Sequence, residues 1–228
     1  MTFKVGIVLF HGFELLDVFG PVGLFSHLAD EYTVSFHALD PGQIRSSQGI
    51  EVIAAEGLDV AVDIALVPGG KGTRGPVSDE EFIATLKSWA LKAEIISSVC
   101  TGAVLLAQAG LLEGHRATTN KRAFLWVSTF GQDVSWVQKA RWVQDENRWT
   151  SSGVAAGIDM TAALIRHLSG DDAVQRATEE IELEIHEDND WDPYAAINGL
   201  AELSDGENSQ LGRKTYLPAA KSQQRSSR

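Results

Sequence analysis

The only cysteine of the 228-residue chain, Cys100, lies in the segment SSVCTGA at residues 97–103. An apolar run precedes it and a helix-forming run follows, so the thiol falls at a predicted strand-to-helix turn. Ser98 and Gly102 stand two positions before and after it, where a sharp turn needs small side chains. The adjacent helix N-terminus should lower the thiol pKa. The pattern favours a nucleophile; a small buried hydrophobe is the alternative.

A carboxyl group that could assist such a thiol follows the first apolar run. Asp17 stands in ELLDVFGP, between leucine and valine. In an apolar pocket its pKa would rise, and it could accept or donate a proton near neutral pH. The alternative is a helix N-cap, a position that aspartate commonly occupies.

Two glycines, Gly69 and Gly70, end the segment ALVPGG after another predicted strand. Backbone N–H groups in a glycine turn can bind developing negative charge, so these residues are candidate substrate or oxyanion contacts. A plain tight turn is the alternative.

No histidine directly follows the cysteine, because Thr101 stands there. His11 ends the first predicted strand and is the histidine that could approach the thiol. The other five are expected to be structural or solvated. Since the sequence has no second thiol and no histidine pair at ligand spacing, neither a metal site nor a cofactor is predicted.

The charge balance limits the partners. With 19 Lys and Arg against 31 Asp and Glu, the net charge is −12, which argues against nucleic acid and anionic membrane surfaces. A small-molecule substrate remains compatible. A lone cysteine excludes an internal disulfide framework, and the N-terminal apolar run is too short to span a membrane. A cytoplasmic location is therefore expected.

The elements that would position these residues alternate between strand and helix patterns, which predicts an α/β fold with a mainly parallel sheet. Predicted strands are 4–10, 32–39, 62–67, 94–99 and 116–119, with hairpins in 44–53 and 140–151. Predicted helices are 15–28, 79–91, 101–109, 122–130, 156–168 and 171–186. The first is expected to be interrupted at Gly20 and Pro21, with Pro21 suited to a first turn. Ser78 is the expected N-cap of the second helix, and Gly110 is expected to end the third. Residues 1–203 are expected to form one domain. Residues 204–228 are a basic, polar tail expected to be disordered or loosely docked.

Taken together, several segments resemble the ThiJ/PfpI superfamily, which is related to the class I glutamine amidotransferases. They are GIVLF with LLDVFGP, ALVPGG, SVCTGA with AGLLEGHRATT, and SSGVAAGIDM. Within the superfamily they are similar to isonitrile hydratases and to N-terminal domains of some AraC-type regulators. The resemblance covers about residues 2–168. It implies a flavodoxin-like three-layer sandwich, a homodimer, a nucleophile at Cys100, an acidic partner at Asp17 and a neighbouring hydroxyl at Thr101.

Two positions distinguish this chain within the superfamily. Most members carry glutamate after the first strand, whereas isonitrile hydratases carry aspartate, as Asp17 does here. Members resembling proteases or glyoxalases usually place histidine after the cysteine, where this chain has Thr101. Relatives often read ATTHW where this chain reads ATTNK, so Asn120 and Lys121 leave the choice of substrate open.

The resemblance implies hydration of an isonitrile to an N-substituted formamide through a covalent thioimidate on Cys100, with Asp17 managing protons. One alternative is a PfpI-type hydrolase or amidase, whose base only His11 could supply. Others are a redox-sensing role for Cys100 and a ligand-sensing module. The residues after Pro193 are too few and too polar for a helix-turn-helix domain, which disfavours a DNA-binding regulator.

Overall fold

A computed structural model describes residues 2–201. The strands are β1 (Phe3–Val8), β2 (Tyr32–Ala38), β3 (Gly42–Arg45), β4 (Glu51–Ala54), β5 (Glu56–Gly57), β6 (Ile64–Val67), β7 (Ile95–Ser98), β8 (Arg116–Ala117), β9 (Ser135–Trp136), β10 (Trp142–Asp145) and β11 (Arg148–Ser151). The α-helices are α1 (Leu15–Ser26), α2 (Glu80–Ala90), α3 (Gly102–Gln108), α4 (Phe124–Val127), α5 (Ala155–Ser169), α6 (Asp171–Glu180) and α7 (Pro193–Ile197).

Seven strands form the main sheet in the order β10-β11-β7-β6-β1-β2-β5. Only the β10–β11 edge hairpin is antiparallel, which confirms the mainly parallel α/β sheet. Helices α1, α5 and α6 contact one another, as do α2 and α3. Strands β6 and β7 are buried along their whole length, as expected for a sheet covered on both faces.

The sheet register brings two functional turns together. Val67, the last residue of β6, pairs with Ser98, the last residue of β7. The turns that follow the two strands therefore emerge side by side at the carboxyl edge of the sheet, where open α/β sheets bind ligands. The glycine turn and the cysteine turn share this edge.

The expected interruption of the first helix at Gly20 and Pro21 is wrong. Helix α1 continues to Ser26 with Pro21 buried inside it. A Cβ at Gly20 would lie 2.7 Å from Cγ1 of Ile158, so this glycine allows α1 to approach α5 closely. Packing of α1 against α5 and β2 stabilises the helix despite the N–H that proline lacks.

Other boundaries also differ. Asp79, not Ser78, caps α2, because its carboxylate accepts the Phe82 N–H at 3.1 Å. The predicted strand at 116–119 shortens to β8, which pairs with β9 outside the main sheet. The predicted helix 122–130 is a 3₁₀ turn followed by the single turn of α4.

The helix predicted to reach residue 186 ends at Glu180, because Glu182 adopts a left-handed conformation with φ of 51°. The following residues, 183–201, are called here the C-terminal segment. They cross the β10 side of the sheet, where the Arg141 N–H donates to the Asn189 carbonyl at 2.6 Å. The short helix α7 in this segment was not predicted from the sequence.

The tail expected at 204–228 lies outside the described residues. Within residues 2–201, no helix combines the length and apolar character needed to cross a bilayer.

Candidate active site

Cys100 occupies a strained backbone position between β7 and α3. Its φ of 57° is left-handed, a conformation that costs a non-glycine residue about 1–3 kcal/mol. Gly102 is required beside it, because a Cβ there would collide with the carbonyl oxygen of Val67. The sharp strand-to-helix turn expected from the spacing of small residues is present.

Two hydrogen bonds hold the Cys100 backbone from neighbouring loops. Its N–H donates to the Ser152 carbonyl at 2.9 Å, and its carbonyl accepts the Thr119 hydroxyl at 2.7 Å. Sequence reasoning did not single out these two residues, although both lie in segments that carry the family resemblance. Both the N–H and the carbonyl of Cys100 are therefore held in place by residues outside its own turn.

Asp17 is fully buried in the first turn of α1, but it is not the helix cap. The N-cap is Glu14, whose side chain makes no capping bond. Oδ2 of Asp17 accepts the Gly69 N–H at 2.8 Å. Oδ1 is buried and has no N–H or O–H partner among residues 2–201. The thiol of Cys100 is close enough to lower the pKa of Asp17 by hydrogen bonding.

Burial dominates the titration of both groups. It raises the pKa of Asp17 to about 7; the Gly69 N–H opposes that shift and the charge of Glu14 adds to it. Burial, and then the charge of Asp17, raise the pKa of the Cys100 thiol, and hydrogen bonds from Thr101 offset only part of this. The expectation of a lowered thiol pKa is therefore wrong, since desolvation outweighs the effect of the short helix α3. Both shifts disfavour a second negative charge on the pair near neutral pH.

The glycine turn holds the acid and the hydroxyl in place. The Gly69 N–H is used by Asp17, and the Gly70 N–H donates to Oγ1 of Thr101 at 3.0 Å. A Cβ at Gly69 would lie 2.9 Å from Oδ2 of Asp17, so a glycine at this position allows the backbone to approach the carboxyl closely. Thr73, which the sequence did not single out, donates to the Gly70 carbonyl at 3.0 Å. Both candidate oxyanion N–H groups therefore hold side chains in place.

His11 is exposed, and its Nδ1 accepts the Arg45 N–H at 3.1 Å. Among residues 2–201, no histidine is hydrogen-bonded to Cys100 or Asp17. The described residues also contain no group of three or more histidine, cysteine or carboxylate side chains placed to hold a metal ion.

Asn120 and Lys121, the two residues that left substrate choice open, have structural contacts. Oδ1 of Asn120 accepts the Ala123 N–H at 3.2 Å and caps a 3₁₀ turn. Lys121 is buried, and its Nζ lies 3.2 Å from Oδ2 of Asp192 and donates to Oγ1 of Thr118 at 2.5 Å. Burial lowers the pKa of Lys121 to about 8, and Asp192 opposes that shift.

Comparisons with known proteins agree with this architecture. The profile of the DJ-1/PfpI family matches residues 3–167. The isonitrile hydratase of Pseudomonas putida is 33% identical over 186 residues, which cover 80% of this chain and 79% of that protein. The HTH-type transcriptional regulator GbdR of Pseudomonas aeruginosa PAO1 is 29% identical over 169 residues, covering 71% of this chain; the match spans 46% of the regulator.

Solved structures give the same result for the fold. A ThiJ/PfpI family protein from Pseudomonas syringae superposes with a TM-score of 0.74 at 26% identity, covering 82% of this chain and 77% of that one. Drosophila melanogaster DJ-1beta superposes with a TM-score of 0.71 at 18% identity, covering 81% of this chain and 100% of that one. These likenesses confirm the expected flavodoxin-like α/β fold.

Proposed function

Because this chain belongs to the DJ-1/PfpI family, we propose that it is a lyase that hydrates isonitriles to N-substituted formamides. One observation carries the proposal: a buried thiol at Cys100 is paired with a carboxyl at Asp17 whose pKa is about 7, and no histidine of residues 2–201 is hydrogen-bonded to either. The similarity to the Pseudomonas putida isonitrile hydratase supports the choice of substrate.

In the first step, the Cys100 sulfur attacks the terminal carbon of R–N≡C. The Asp17 carboxylate takes the thiol proton and delivers it to that carbon, so a C–S and a C–H bond form and the thioimidate R–N=CH–S–Cys results. Because burial raises the thiol pKa, a free thiolate is scarce, and proton transfer through Asp17 accompanies the attack.

In the second step, water hydrolyses the thioimidate. Asp17 accepts a proton from water as the oxygen adds to the carbon, and passes it to the nitrogen of the C=N bond. The C–S bond then breaks, Asp17 transfers the proton of the new hydroxyl to the sulfur, and R–NH–CHO leaves. The N–H and hydroxyl of Thr101 are close enough to lower the pKa of the Cys100 thiol and so stabilise negative charge on the sulfur. No step needs a cofactor.

The test is turnover of an isonitrile panel by the purified protein, with formamide detected by NMR and aldehydes and short peptides as competing substrate classes. Formamide production that Cys100→Ser abolishes supports the proposal, as does a thioimidate adduct seen by intact mass. Turnover of peptides or aldehydes instead of isonitriles would contradict it.

The similarity to the regulator GbdR favours a second candidate, a ligand-sensing module. Such a module would bind a small molecule at the same site without turnover. Saturable binding of an isonitrile with no formamide formed would favour it over the enzyme.

We further propose that the protein is a homodimer. Helix α1 exposes Leu16 and Phe19, which are 45% and 41% accessible, on either side of buried Asp17. Light scattering after size exclusion should give twice the monomer mass, and Phe19→Lys should halve it. Leu125→Lys is the matched control, because Leu125 is 73% exposed on the separate helix α4.

Two further assignments remain proposals. We place the protein in the cytoplasm, because its single cysteine provides no internal disulfide framework of the kind that proteins of oxidising compartments carry. We expect no nucleic-acid binding, because the chain carries a net charge of −12. Cell fractionation and a gel-shift assay at low salt test them.

A further inference from the structure

The left-handed conformation of Cys100 persists only if its surroundings restrain it. The restraints come from two loops, through the Ser152 carbonyl and the Thr119 hydroxyl. Neither loop belongs to the β7–α3 turn itself. Contacts that hold these two loops in place therefore also hold the Cys100 thiol in place.

A buried ion pair lies between the loops. Nζ of Lys121 is 3.2 Å from Oδ2 of Asp192, and the two residues are only 3% and 2% exposed. Nζ also donates to Oγ1 of Thr118 at 2.5 Å. Isolated buried ion pairs contribute little net stability compared with apolar packing, so the pair calls for another explanation.

Each member of the pair adjoins one of the restraints. Lys121 lies two residues after Thr119, and its Nζ donates to the hydroxyl of Thr118, the residue directly before Thr119. The side chain of Ser152, whose carbonyl accepts the Cys100 N–H, is close enough to Asp192 to lower the pKa of that carboxyl by hydrogen bonding. The pair thus links the two loops that hydrogen-bond to the backbone of Cys100.

We propose that Lys121 and Asp192 form a positioning pair that holds the Cys100 turn in its reactive conformation. Neither residue needs to touch substrate, because the pair acts through Thr119 and Ser152. Its role in turnover rests on the proposed isonitrile hydration, whereas its effect on the thiol can be measured without any substrate.

A second buried ion pair supplies a matched control. Nε of Arg141 donates to Oδ2 of Asp159 at 2.6 Å, and Oδ1 of Asp159 accepts the His186 N–H at 2.9 Å. This pair also fastens the C-terminal segment. A backbone bond from the Ser152 N–H to the Arg141 carbonyl links it to the Cys100 restraints, and substitution of side chains retains this bond. The Arg141 guanidinium also lies over the ring of Trp191, next to Asp192, at 5.0 Å from the ring centroid.

The experiment compares Lys121→Met/Asp192→Asn with Arg141→Met/Asp159→Asn. The asparagine keeps an oxygen that can cap α7, and the double change leaves no unpaired buried charge. Iodoacetamide reports on Cys100 alone, since the chain has no other thiol. Thermal melting, kcat and KM complete the measurements.

We expect the first double variant to lose about tenfold in kcat with KM within about threefold, because small displacements of a reacting group are costly. Its alkylation should accelerate about fivefold or more, since the released thiol is less buried. The single variant Lys121→Arg, which keeps the charge beside Asp192, should keep kcat and the alkylation rate close to the wild-type values. The control double variant should lower the melting temperature by about as much as the first double variant does. Its alkylation rate should stay within about twofold of the wild-type rate.

Unchanged alkylation in the first double variant, or an equal change in the control, would overturn the proposal. So would a first double variant that fails to fold while the control folds, because the pair would then be a stability element. If the wild-type protein converts no isonitrile, the proposed function fails, and the alkylation comparison still decides the role of the pair.

Discussion

The backbone N–H of Gly69 donates a 2.8 Å hydrogen bond to Oδ2 of Asp17, which lies 52 positions earlier in the chain. This single donor does not offset the burial of the carboxyl, whose pKa is about 7. The carboxyl can therefore both accept and release a proton near neutral pH, as a proton shuttle beside Cys100 must.

Asp17→Asn tests the shuttle. The amide oxygen can still accept the Gly69 N–H, so the fold should remain while kcat for isonitriles falls by about two orders of magnitude. Glu14→Gln removes the neighbouring charge that raises the Asp17 pKa, and it should change kcat by less than about threefold. Activity of the asparagine variant close to wild type would exclude Asp17 from proton transfer.

Alkylation against pH tests the thiol. Because burial and Asp17 raise its pKa, the midpoint for iodoacetamide should lie above the free-cysteine value of about 8.5. Asp17→Asn removes the opposing charge and should lower the midpoint. A wild-type midpoint below the free value would mean that the helix N-terminus dominates after all.

Stability should depend on pH through Asp17. A carboxyl with a folded pKa of about 7 and an unfolded pKa near 3.8 binds its proton more tightly when folded. The stability this contributes is complete below the unfolded pKa and is lost as pH rises towards 7. Relative to Asp17→Asn, the wild type should lose about 2 kcal/mol or more between pH 4 and 8, measured by urea unfolding. Parallel stability curves for the two proteins would contradict the raised pKa.

Gly69→Ala tests the close approach at the glycine turn. The added Cβ would lie 2.9 Å from Oδ2 of Asp17 and 2.5 Å from the Thr101 nitrogen. We expect a stability loss of about 1–3 kcal/mol and at least a tenfold fall in kcat. At Gly23, in α1, a Cβ meets nothing within 4 Å. Gly23→Ala should therefore keep full activity and gain up to about 1 kcal/mol.

Truncation tests the proposed domain boundary. A chain ending at Leu203 should keep turnover within about threefold, because Cys100, Asp17 and the glycine turn all precede it. A chain ending at Ile185 loses Asp192 and α7, and it should lose activity or fail to fold. Loss of activity in the longer, folded truncation would mean that residues 204–228 help to build the site.

The sequence by itself determined the local features of this protein. Alternating strand and helix patterns predict the α/β class, and the small residues around Cys100 predict its turn, because both depend on neighbours within a few positions. The hairpin β3–β4 was predicted for the same reason. The resemblance then identified Asp17 as the acidic partner, while its own surroundings left a helix cap as an alternative.

Only the tertiary structure decided how the site titrates and what supports it. A helix N-terminus next to Cys100 predicts a lowered thiol pKa, but desolvation by distant segments reverses the direction. The bond between Gly69 and Asp17, and the ion pair between Lys121 and Asp192, join residues far apart in sequence. Burial and long-range contacts of this kind arise from the packing of the whole chain, and no local pattern encodes them.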